Sequence, residues 1–488
     1  MLASAAFRAV RPVARVTPAL LETGAKALSA KFSSSSSERT AGTKAIDTAQ
    51  RAGLDIKPAI DPKIVYQPSH PIAVDAAVNS KPDTNLDWET MGFDFKQTAA
   101  HTVSTWAPDT KDWGPVVVTT NSKETRPLGH DLYSHGPFEG MKATPVYDGD
   151  KLIGANIFRP DFHLARLNKG LEAVGMPTVS KEVFETTIAT AVSECRDSLP
   201  PKDIKDGALY IRVDVFQKDE TLGNYLNPAM RYDLRAVITP VRAYYKPSKE
   251  GGKLYNLPIP RVVSWSPELA IPGTKGTIAA TKQRANYGIW FKVAQALKTE
   301  RGYTDAYFIE KENGKAYAAE ATSSNSLLFF TDKGKPGTSV VVRPFAFGNL
   351  EGCTSTSILT LLNEKLGIPA IDERVPIDTI MGKASLEETI ARALGKAGID
   401  PMMSGAKLAA MHLAGTAAGG RTAITAIDRL TEDSKMEHAS WNMLNPAENP
   451  LLEAAELLEK IKTGDAPDDF GWNTFIPFTG SLSVERVL

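Results

Sequence analysis

The chain has 488 residues, with 56 lysines and arginines against 57 aspartates and glutamates, and 42% of its residues are hydrophobic. A chain of this length and apolar content can bury the core of a two-domain enzyme. The net charge of −1 argues against nucleic-acid binding, and no apolar run is long enough to span a bilayer. The two cysteines, Cys195 and Cys353, are far apart, so the sequence predicts neither a disulfide framework nor a metal site, and a reducing compartment fits best.

The N-terminal segment has the composition of an organellar targeting peptide. Residues 1–40 contain six arginines and lysines against Glu22 and Glu38, with many alanines and serines. Such basic, acid-poor segments are typical of mitochondrial or plastid transit peptides. We expect a mitochondrial matrix location, with a plastid as the alternative. A merely disordered tail would not explain the shortage of acidic residues.

The rest of the chain divides by composition. Residues 41–85 are rich in Pro, Ala and Lys and predict an extended linker or arm, with folded structure beginning near Leu86. Residues 86–243 predict a small α+β domain, 244–257 an interdomain loop of turn composition, and 258–488 a larger domain that binds the cofactor named below.

Four strands are predicted in the small domain, at "VVVTT", "LIGANIF", "ALYIRVDVF" and "LRAVITPV". Between the second and third, "HLARLNKGLEAVG" and "SKEVFETTIATAVSECRDSL" predict helix with a break at "MPTV". In the larger domain, "DAYFIEK", "AYAAEA", "SLLFF" and "TSVVV" predict strands, and "TSILTLLNEKLG" predicts a helix because Ile358, Leu361, Leu362 and Leu366 share one face.

Several short segments carry chemistry and occur in a fixed order. They are "FEGMKA" (138–143), "FRPDFHLARL" (158–167), "YIR" (210–212), "TKQRANYG" (281–288), "EATSSN" (320–325), "GCTSTSIL" (352–359) and "GTAA" (415–418). Together they resemble the branched-chain amino acid aminotransferases, which use pyridoxal 5′-phosphate. The resemblance covers the chain from about residue 86 onward. It implies an α/β and α+β fold, the two-domain fold type IV (D-amino acid aminotransferase-like) architecture, and a homodimer.

The resemblance also assigns residues to the cofactor. Lys282 matches the lysine that is joined to the cofactor's aldehyde and later moves the proton during transamination, a role that requires a neutral, buried amine. Glu320 matches the carboxylate beside the pyridine nitrogen, and Tyr287 the hydroxyl beside the ring oxygen. The phosphate is matched to a helix start and a cation, formed by Cys353, Thr354, Arg166 and Thr416.

Substrate recognition is assigned in the same way. On "ALYIRVDVF", period two places Tyr210 and Arg212 on one face, and both match residues near the substrate carboxylate, together with the Thr416 and Ala417 amides. Arg212 is also expected to receive the second carboxylate of 2-oxoglutarate. An aromatic lining of the side-chain pocket is matched by Tyr133, Phe138 and Tyr244, although each of these would by itself more often be a core residue.

The sequence departs from the family pattern at several positions around the expected pocket. Arg284 and Ala285 stand where glycines are usual, Glu351 replaces a proline, Ser355 an arginine, Arg242 a glycine and Thr322 a smaller residue. By period two, Asp214 shares a face with Arg212 and could neutralise it.

Three hypotheses follow. The first is a branched-chain aminotransferase that exchanges amino groups between Leu, Ile or Val and 2-oxoglutarate. The second, prompted by the departures, is a catalytically impaired aminotransferase-fold protein that serves as a structural subunit of a mitochondrial complex, with residues 41–85 as a docking arm. The third keeps the cofactor but changes the substrate, toward another amino acid, a D-amino acid or a lyase reaction.

Overall fold

The computed structural model describes most of the chain after residue 64. The described residues are 65–66, 69–74, 83, 86–92, 96, 98–120, 136–218, 230–245, 250–258, 281–312, 314–332, 339–345, 349–384, 406–431, 433–478 and 485–486. The predicted targeting peptide, most of the predicted arm, and Tyr133 lie outside these ranges.

The elements are strands and helices in a mixed order. In chain order they are β1 (Ile72–Val74), β2 (Ala100–Ala107), β3 (Asp112–Trp113), β4 (Val116–Thr120), β5 (Phe138–Asp148), β6 (Lys151–Phe158), α1 (Pro160–Ala173), α2 (Lys181–Glu194), β7 (Ala208–Gln217), β8 (Tyr232–Val241), β9 (Gly252–Pro258), α3 (Arg284–Arg301), β10 (Asp305–Glu312), β11 (Lys315–Ala321), β12 (Asn325–Thr331), β13 (Val340–Pro344), α4 (Cys353–Glu364), β14 (Ala370–Glu373), α5 (Ile377–Ile380), β15 (Lys407–Ala414), β16 (Thr422–Leu430), β17 (Met436–Ser440), α6 (Pro450–Thr463), β18 (Asn473–Pro477) and β19 (Glu485–Arg486).

Two sheets organise these elements. The first has the order β18-β6-β5-β7-β8-β2-β4-β1-β19, with β3 paired to β2, and the second has the order β11-β10-β9-β16-β15-β12-β13-β14, with β17 paired to β16. The first is mainly antiparallel, whereas β9 pairs in parallel with both β10 and β16 in the second. The predicted mixed α/β fold class is therefore confirmed.

The predicted helix break at "MPTV" separates α1 from α2. Helix α1 ends before Gly175, whose positive φ of 70° suits glycine. The Asn168 side chain then bonds both the N–H and the C=O of Val179 at 2.9 Å, which fixes the turn. Ser180 caps α2 by accepting the Val183 N–H. The buried faces of both helices pack in the core of the first sheet.

The apolar face predicted for "TSILTLLNEKLG" is present in α4. Ile358, Leu361 and Leu362 are fully buried, and they pack with Leu451 and Leu458 of α6 in one hydrophobic cluster. Burying such a leucine or isoleucine side chain contributes about 1.5–3 kcal/mol, so this contact holds the start of α4 firmly. That start is one wall of the site described below.

Two segments differ from their predictions. The predicted arm contains β1, which pairs in parallel with β4 and β19, and Tyr66 donates a hydrogen bond to the Thr186 hydroxyl at 2.9 Å. The second half of the predicted interdomain loop forms β9, at the centre of the second sheet. Both stretches are short, and their pairing partners are far away in sequence, so turn-forming neighbours hide the strand signal.

Within the described part of the chain, no helix combines the length and the hydropathy that a bilayer crossing requires.

Candidate active site

Lys282 lies between a strand end of the first sheet and a helix start. The Lys282 C=O accepts the N–H of Phe138, the first residue of β5, at 2.9 Å. The next residue, Gln283, forms an isolated antiparallel β-bridge with Pro137. The Gln283 side chain also donates to the Gly170 C=O of α1 at 2.9 Å. Because Gln283 is the N-cap residue of α3, the backbone of the lysine is fixed on both sides.

The Lys282 amine is enclosed by aromatic rings. Its Nζ donates to the Tyr287 hydroxyl at 2.9 Å and lies 4.6 Å from the ring centroids of both Phe138 and Tyr287, which pack edge to face. Burial, assisted by the positive charges of Arg166 and Arg212, lowers the pKa of Lys282 from 10.5 to about 7. The amine is therefore substantially neutral near physiological pH, as a nucleophilic lysine requires.

A buried ionic cluster lies beside the lysine, and it includes two residues that the sequence interpretation did not assign. Glu139 is fully buried and accepts a bidentate pair of bonds from Arg166, at 2.6 and 2.7 Å. It also bonds His163 Nδ1 at 2.7 Å. Arg166 uses its remaining nitrogen to donate to the Glu351 C=O at 2.8 Å. The spacing of His163 and Arg166 on one face of α1, together with a carboxylate in the apolar strand β5, is the signal that could have identified this cluster.

Glu320 lies near the end of β11 with its carboxylate held by two donors. Asn325 Nδ2 bonds Oε2 at 2.9 Å, and the Leu350 N–H reaches Oε1 at 3.2 Å. Burial raises the pKa of Glu320 to about 8, although the Leu350 bond and the charges of Lys282 and Arg166 oppose this rise. A carboxylate held this way favours a protonated partner such as a pyridinium nitrogen.

The start of α4 offers a place for an anion. Gly352 is its N-cap residue and makes no side-chain cap, so the first N–H groups, those of Cys353 and Thr354 among them, have no intrahelical partner. Both side chains are buried. The turn after β15 adjoins this helix, because a Cβ at Gly420 would come within 2.6 Å of Ile358. That turn contains Thr416 and Ala417.

The face of β7 predicted to bind substrate is present. Arg212 stacks over Phe138, 3.6 Å from the ring centroid, and forms hydrogen bonds of 3.1–3.2 Å with Asp214. Tyr210 lies over Gly140, where a Cβ would come 1.9 Å from the phenolic oxygen, so only glycine fits there. The suspicion that Asp214 neutralises Arg212 is therefore supported by direct contact.

The remaining predicted site residue, Tyr244, lies partly buried against Tyr245 in the core of the second sheet, with ring centroids 4.9 Å apart. This packing accounts for the ring as a core aromatic, and its role as a pocket wall stays a prediction.

The departures from the family pattern are held by hydrogen-bond partners of their own. Arg284 donates to the Val215 C=O at 3.1 Å and reaches Asp214 at 3.4 Å. Arg242 donates to the Trp88 C=O at 2.6 Å, which ties β8 to the segment before β2.

The smaller departures behave similarly. The Thr322 hydroxyl donates to Asp305 at 2.6 Å, and the Ser355 hydroxyl donates to Asn325 at 2.7 Å. Glu351 is exposed, and its backbone C=O is the group that faces Arg166.

A neutral lysine, a phenol, a buried carboxylate, an arginine and an uncapped helix start are the groups that a phosphorylated pyridine aldehyde needs. The donor set thus fits pyridoxal 5′-phosphate, with the amine for the aldehyde, Glu320 for the ring nitrogen and the α4 start for the phosphate. Fold and site together are those of a two-sheet protein suited to hold pyridoxal 5′-phosphate.

Comparison with known proteins identifies the family. The family model for amino-transferase class IV matches residues 136–386, just over half of the chain. The chain therefore belongs to this family, whose cofactor is pyridoxal 5′-phosphate.

Similar curated sequences agree with this family. The chain is 28% identical over 299 residues to a chloroplastic branched-chain amino acid aminotransferase of Humulus lupulus, covering 61% of this chain and 66% of that one. It is 28% identical to a branched-chain-amino-acid transaminase of Bacillus subtilis, covering 52% and 65%. The matched region thus spans slightly less than two thirds of these relatives.

Solved structures show the same fold. The branched-chain aminotransferase of the archaeon Thermoproteus uzoniensis, determined with norvaline, has a TM-score of 0.51 at 17% identity and covers 78% of this chain and 99% of that one. Another branched-chain amino acid aminotransferase, determined with pyridoxamine 5′-phosphate, has a TM-score of 0.51 at 20% identity over the same shares of the two chains.

Proposed function

We propose that this protein is a branched-chain amino acid aminotransferase, which moves the amino group of leucine, isoleucine or valine to 2-oxoglutarate. The observation that carries the proposal is the environment of Lys282, a neutral amine bonded to Tyr287 beside Arg166 and Glu320. The relatives named for this reaction support the substrate class.

Lys282 would anchor the cofactor and serve as the general base. When bound, pyridoxal phosphate supplies an aldehyde for the amino group and an electron sink for the α-carbon. The free Lys282 Nζ would then be the group that takes the proton from the substrate α-carbon and holds it for return. Its pKa near 7 suits both steps, because neither the neutral nor the protonated form is then rare.

The other residues would bind and orient. Glu320 would hold the ring nitrogen, and the Tyr287 hydroxyl the ring oxygen. The phosphate would lie at the α4 start, on the Cys353 and Thr354 N–H groups, with Thr416 beside them. Arg166 would act as the cation beside that phosphate, and three of its five N–H groups are directed at Glu139 and the Glu351 C=O.

Arg212 would receive the substrate carboxylate, with Tyr210 and the Thr416 and Ala417 amides. Phe138 lies beneath Arg212 and beside Lys282, so it would form one wall of the side-chain pocket. Tyr133 and Tyr244 remain predicted wall residues on the resemblance alone.

The structural-subunit alternative rested on the departures near the pocket. The two arginines that could have filled it, Arg284 and Arg242, are bonded to the backbone oxygens of Val215 and Trp88, which favours the enzyme.

The test is the absorption spectrum of the protein with pyridoxal phosphate. We expect a visible band that bleaches with leucine and returns with 2-oxoglutarate. Lys282→Ala should abolish the band, whereas Lys292→Ala, which changes an exposed lysine on helix α3, should leave it intact. A band that ignores leucine, isoleucine and valine but responds to a D-amino acid would refute the substrate, and a wild-type protein without a band would refute the enzyme.

We also propose import into an organelle, on the composition of residues 1–40, and a homodimer, on the family resemblance. A fluorescent fusion of residues 1–40 that stays in the cytosol would contradict the first. A monomeric mass by light scattering would contradict the second.

A further inference from the structure

A chain of buried polar side chains ends on the Glu320 carboxylate. Arg343 of β13 donates to the Ser355 hydroxyl at 2.9 Å, Ser355 donates to Asn325 Oδ1 at 2.7 Å, and Asn325 Nδ2 donates to Glu320 Oε2 at 2.9 Å. Ser355 and Asn325 are 0% and 4% exposed. The chain therefore runs through protein interior.

Every bond in this chain points the same way. Arginine has donors only, so Ser355 must accept from it and has its own proton left for Asn325. With its oxygen occupied, the Asn325 amide must present N–H groups to Glu320, and its second N–H goes to the Leu350 C=O at 2.9 Å. Aligned bonds of this kind polarise one another, which favours negative charge at the last acceptor.

The Arg343 end of this series of hydrogen bonds is also held in place. Arg343 forms a fork-to-fork pair with Asp372, at 2.5 and 2.7 Å, and also donates to the Thr356 hydroxyl at 2.8 Å. Asp372 is partly exposed, and the guanidinium is nearly buried. Arg343 is thus a rigid cation whose position the strand pair β13–β14 sets.

The absence of a side chain at Gly352 leaves room for this series of hydrogen bonds. A Cβ there would come 2.0 Å from Asn325 Oδ1 and 2.8 Å from Ser355 Oγ. The Gly352 C=O lies 3.0 Å from Ser355 Oγ as a second, longer acceptor for the same proton, so the relay crosses the first turn of α4.

We propose that Arg343, Ser355 and Asn325 form a positioning relay that aims the Glu320 carboxylate at the cofactor's ring nitrogen and favours its ionised form there. This inference rests on the proposed function and deepens it, because it assigns residues that touch neither cofactor nor substrate. Burial opposes an ionised Glu320, and the donors directed at its carboxylate, the Asn325 amide and the Leu350 N–H, act in the other direction.

The test compares two ligands that differ at one atom. In 1-deazapyridoxal 5′-phosphate a C–H group replaces the ring nitrogen, so Glu320 has no partner there. We expect Ser355→Ala to weaken the equilibrium binding of pyridoxal 5′-phosphate about tenfold, as for one hydrogen bond to a charged group, and to change the binding of the deaza analogue by less than about twofold.

Thr356→Val is the matched control. It removes the other hydroxyl that accepts from Arg343 in the same helical turn but leaves the relay intact, so both affinities should stay within about twofold of wild type. Arg343→Met is a second variant that cuts the relay from its other end, and it should show the same selective loss.

Equal weakening of both ligands by Ser355→Ala would mean that the chain merely braces the fold and would overturn the relay, as would no weakening at all. If wild-type protein bound pyridoxal 5′-phosphate no better than the Lys282→Ala variant, the proposed function would fail, and the relay with it. Normal wild-type binding with an unchanged Ser355→Ala variant would defeat the relay alone.

Discussion

In the cofactor-free protein, Lys282 should titrate near pH 7. The lowering of its pKa from 10.5 to about 7 corresponds to a preference for the neutral amine of roughly 5 kcal/mol. At pH 8 about nine tenths of the amine would then be neutral, against well under about one hundredth for a lysine in a peptide. The reactivity of Lys282 toward an amine-selective reagent should therefore rise through pH 7, level off above it, and fall about tenfold per pH unit below it.

Competitive acylation read by mass spectrometry measures this titration directly. Protein and an Nα-acetyl-lysine standard are labelled with trace acetic anhydride across roughly pH 5 to 11, and the Lys282 peptide is compared with the standard. The same protein unfolded in urea is the control, and there Lys282 should follow the standard.

A single substitution tests the cause. Burial is the first contribution to the low pKa, and the positive charges of Arg166 and Arg212 add to it. Arg212→Met removes one of these charges and should move the midpoint upward, because protonating the amine then meets less repulsion. A wild-type midpoint above about 9.5 would refute the assignment of a neutral amine. A downward shift in Arg212→Met would refute its electrostatic cause.

Two further substitutions probe the packing of the site. Glu139→Gln leaves the buried Arg166 without its bidentate anion, so the free energy of unfolding should fall by about 3–5 kcal/mol, whereas Lys181→Gln, which breaks an exposed pair, should cost less than about 1 kcal/mol. Urea unfolding measures both, and equal effects would contradict the buried pair. Gly140→Ala should displace Tyr210, whose oxygen would lie 1.9 Å from the new methyl group, and raise the KM for the amino acid by about tenfold to a hundredfold with cofactor affinity retained. An unchanged KM would show that Tyr210 does not touch substrate.

The parts of the fold that local patterns specify could be predicted from the sequence. Helices α1, α2 and α4 have amphipathic periods and recognisable ends, such as the Ser180 cap and the turn at Gly175. Strands β1 and β9 could not be predicted, because their stability comes from partners outside the local window. The return of β18 and β19 to the first sheet has the same cause, since sequence patterns do not encode which distant edge a strand joins.

Within the site, the motifs predicted residues such as Tyr287 and Phe138, which the structure places against Lys282, but they did not predict the connections between side chains. Period two correctly placed Arg212 and Asp214 together on β7. The pairing of Glu139 with Arg166 was missed because it joins a strand to a helix. The spacing of His163 and Arg166 indicates a buried polar face on α1, but it does not indicate which carboxylate that face meets. The relay through Asn325 could not be predicted from the sequence, because its members lie on separate elements.

The departures from the family pattern illustrate why contacts decide what a substitution means. In the sequence, Arg284 beside Lys282 suggests a blocked pocket, yet the guanidinium lies against Val215 and Asp214. Because Asp214 is shared between Arg284 and Arg212, it need not cancel the full charge of Arg212, and Arg284 can retain it when Arg212 meets a carboxylate. Similarly, Ser355 of α4 stands where the family usually has an arginine, and Arg343 of β13 places its guanidinium against the Ser355 hydroxyl. Positive charge is thus retained near the site although different residues supply it, which favours an active enzyme over a purely structural protein.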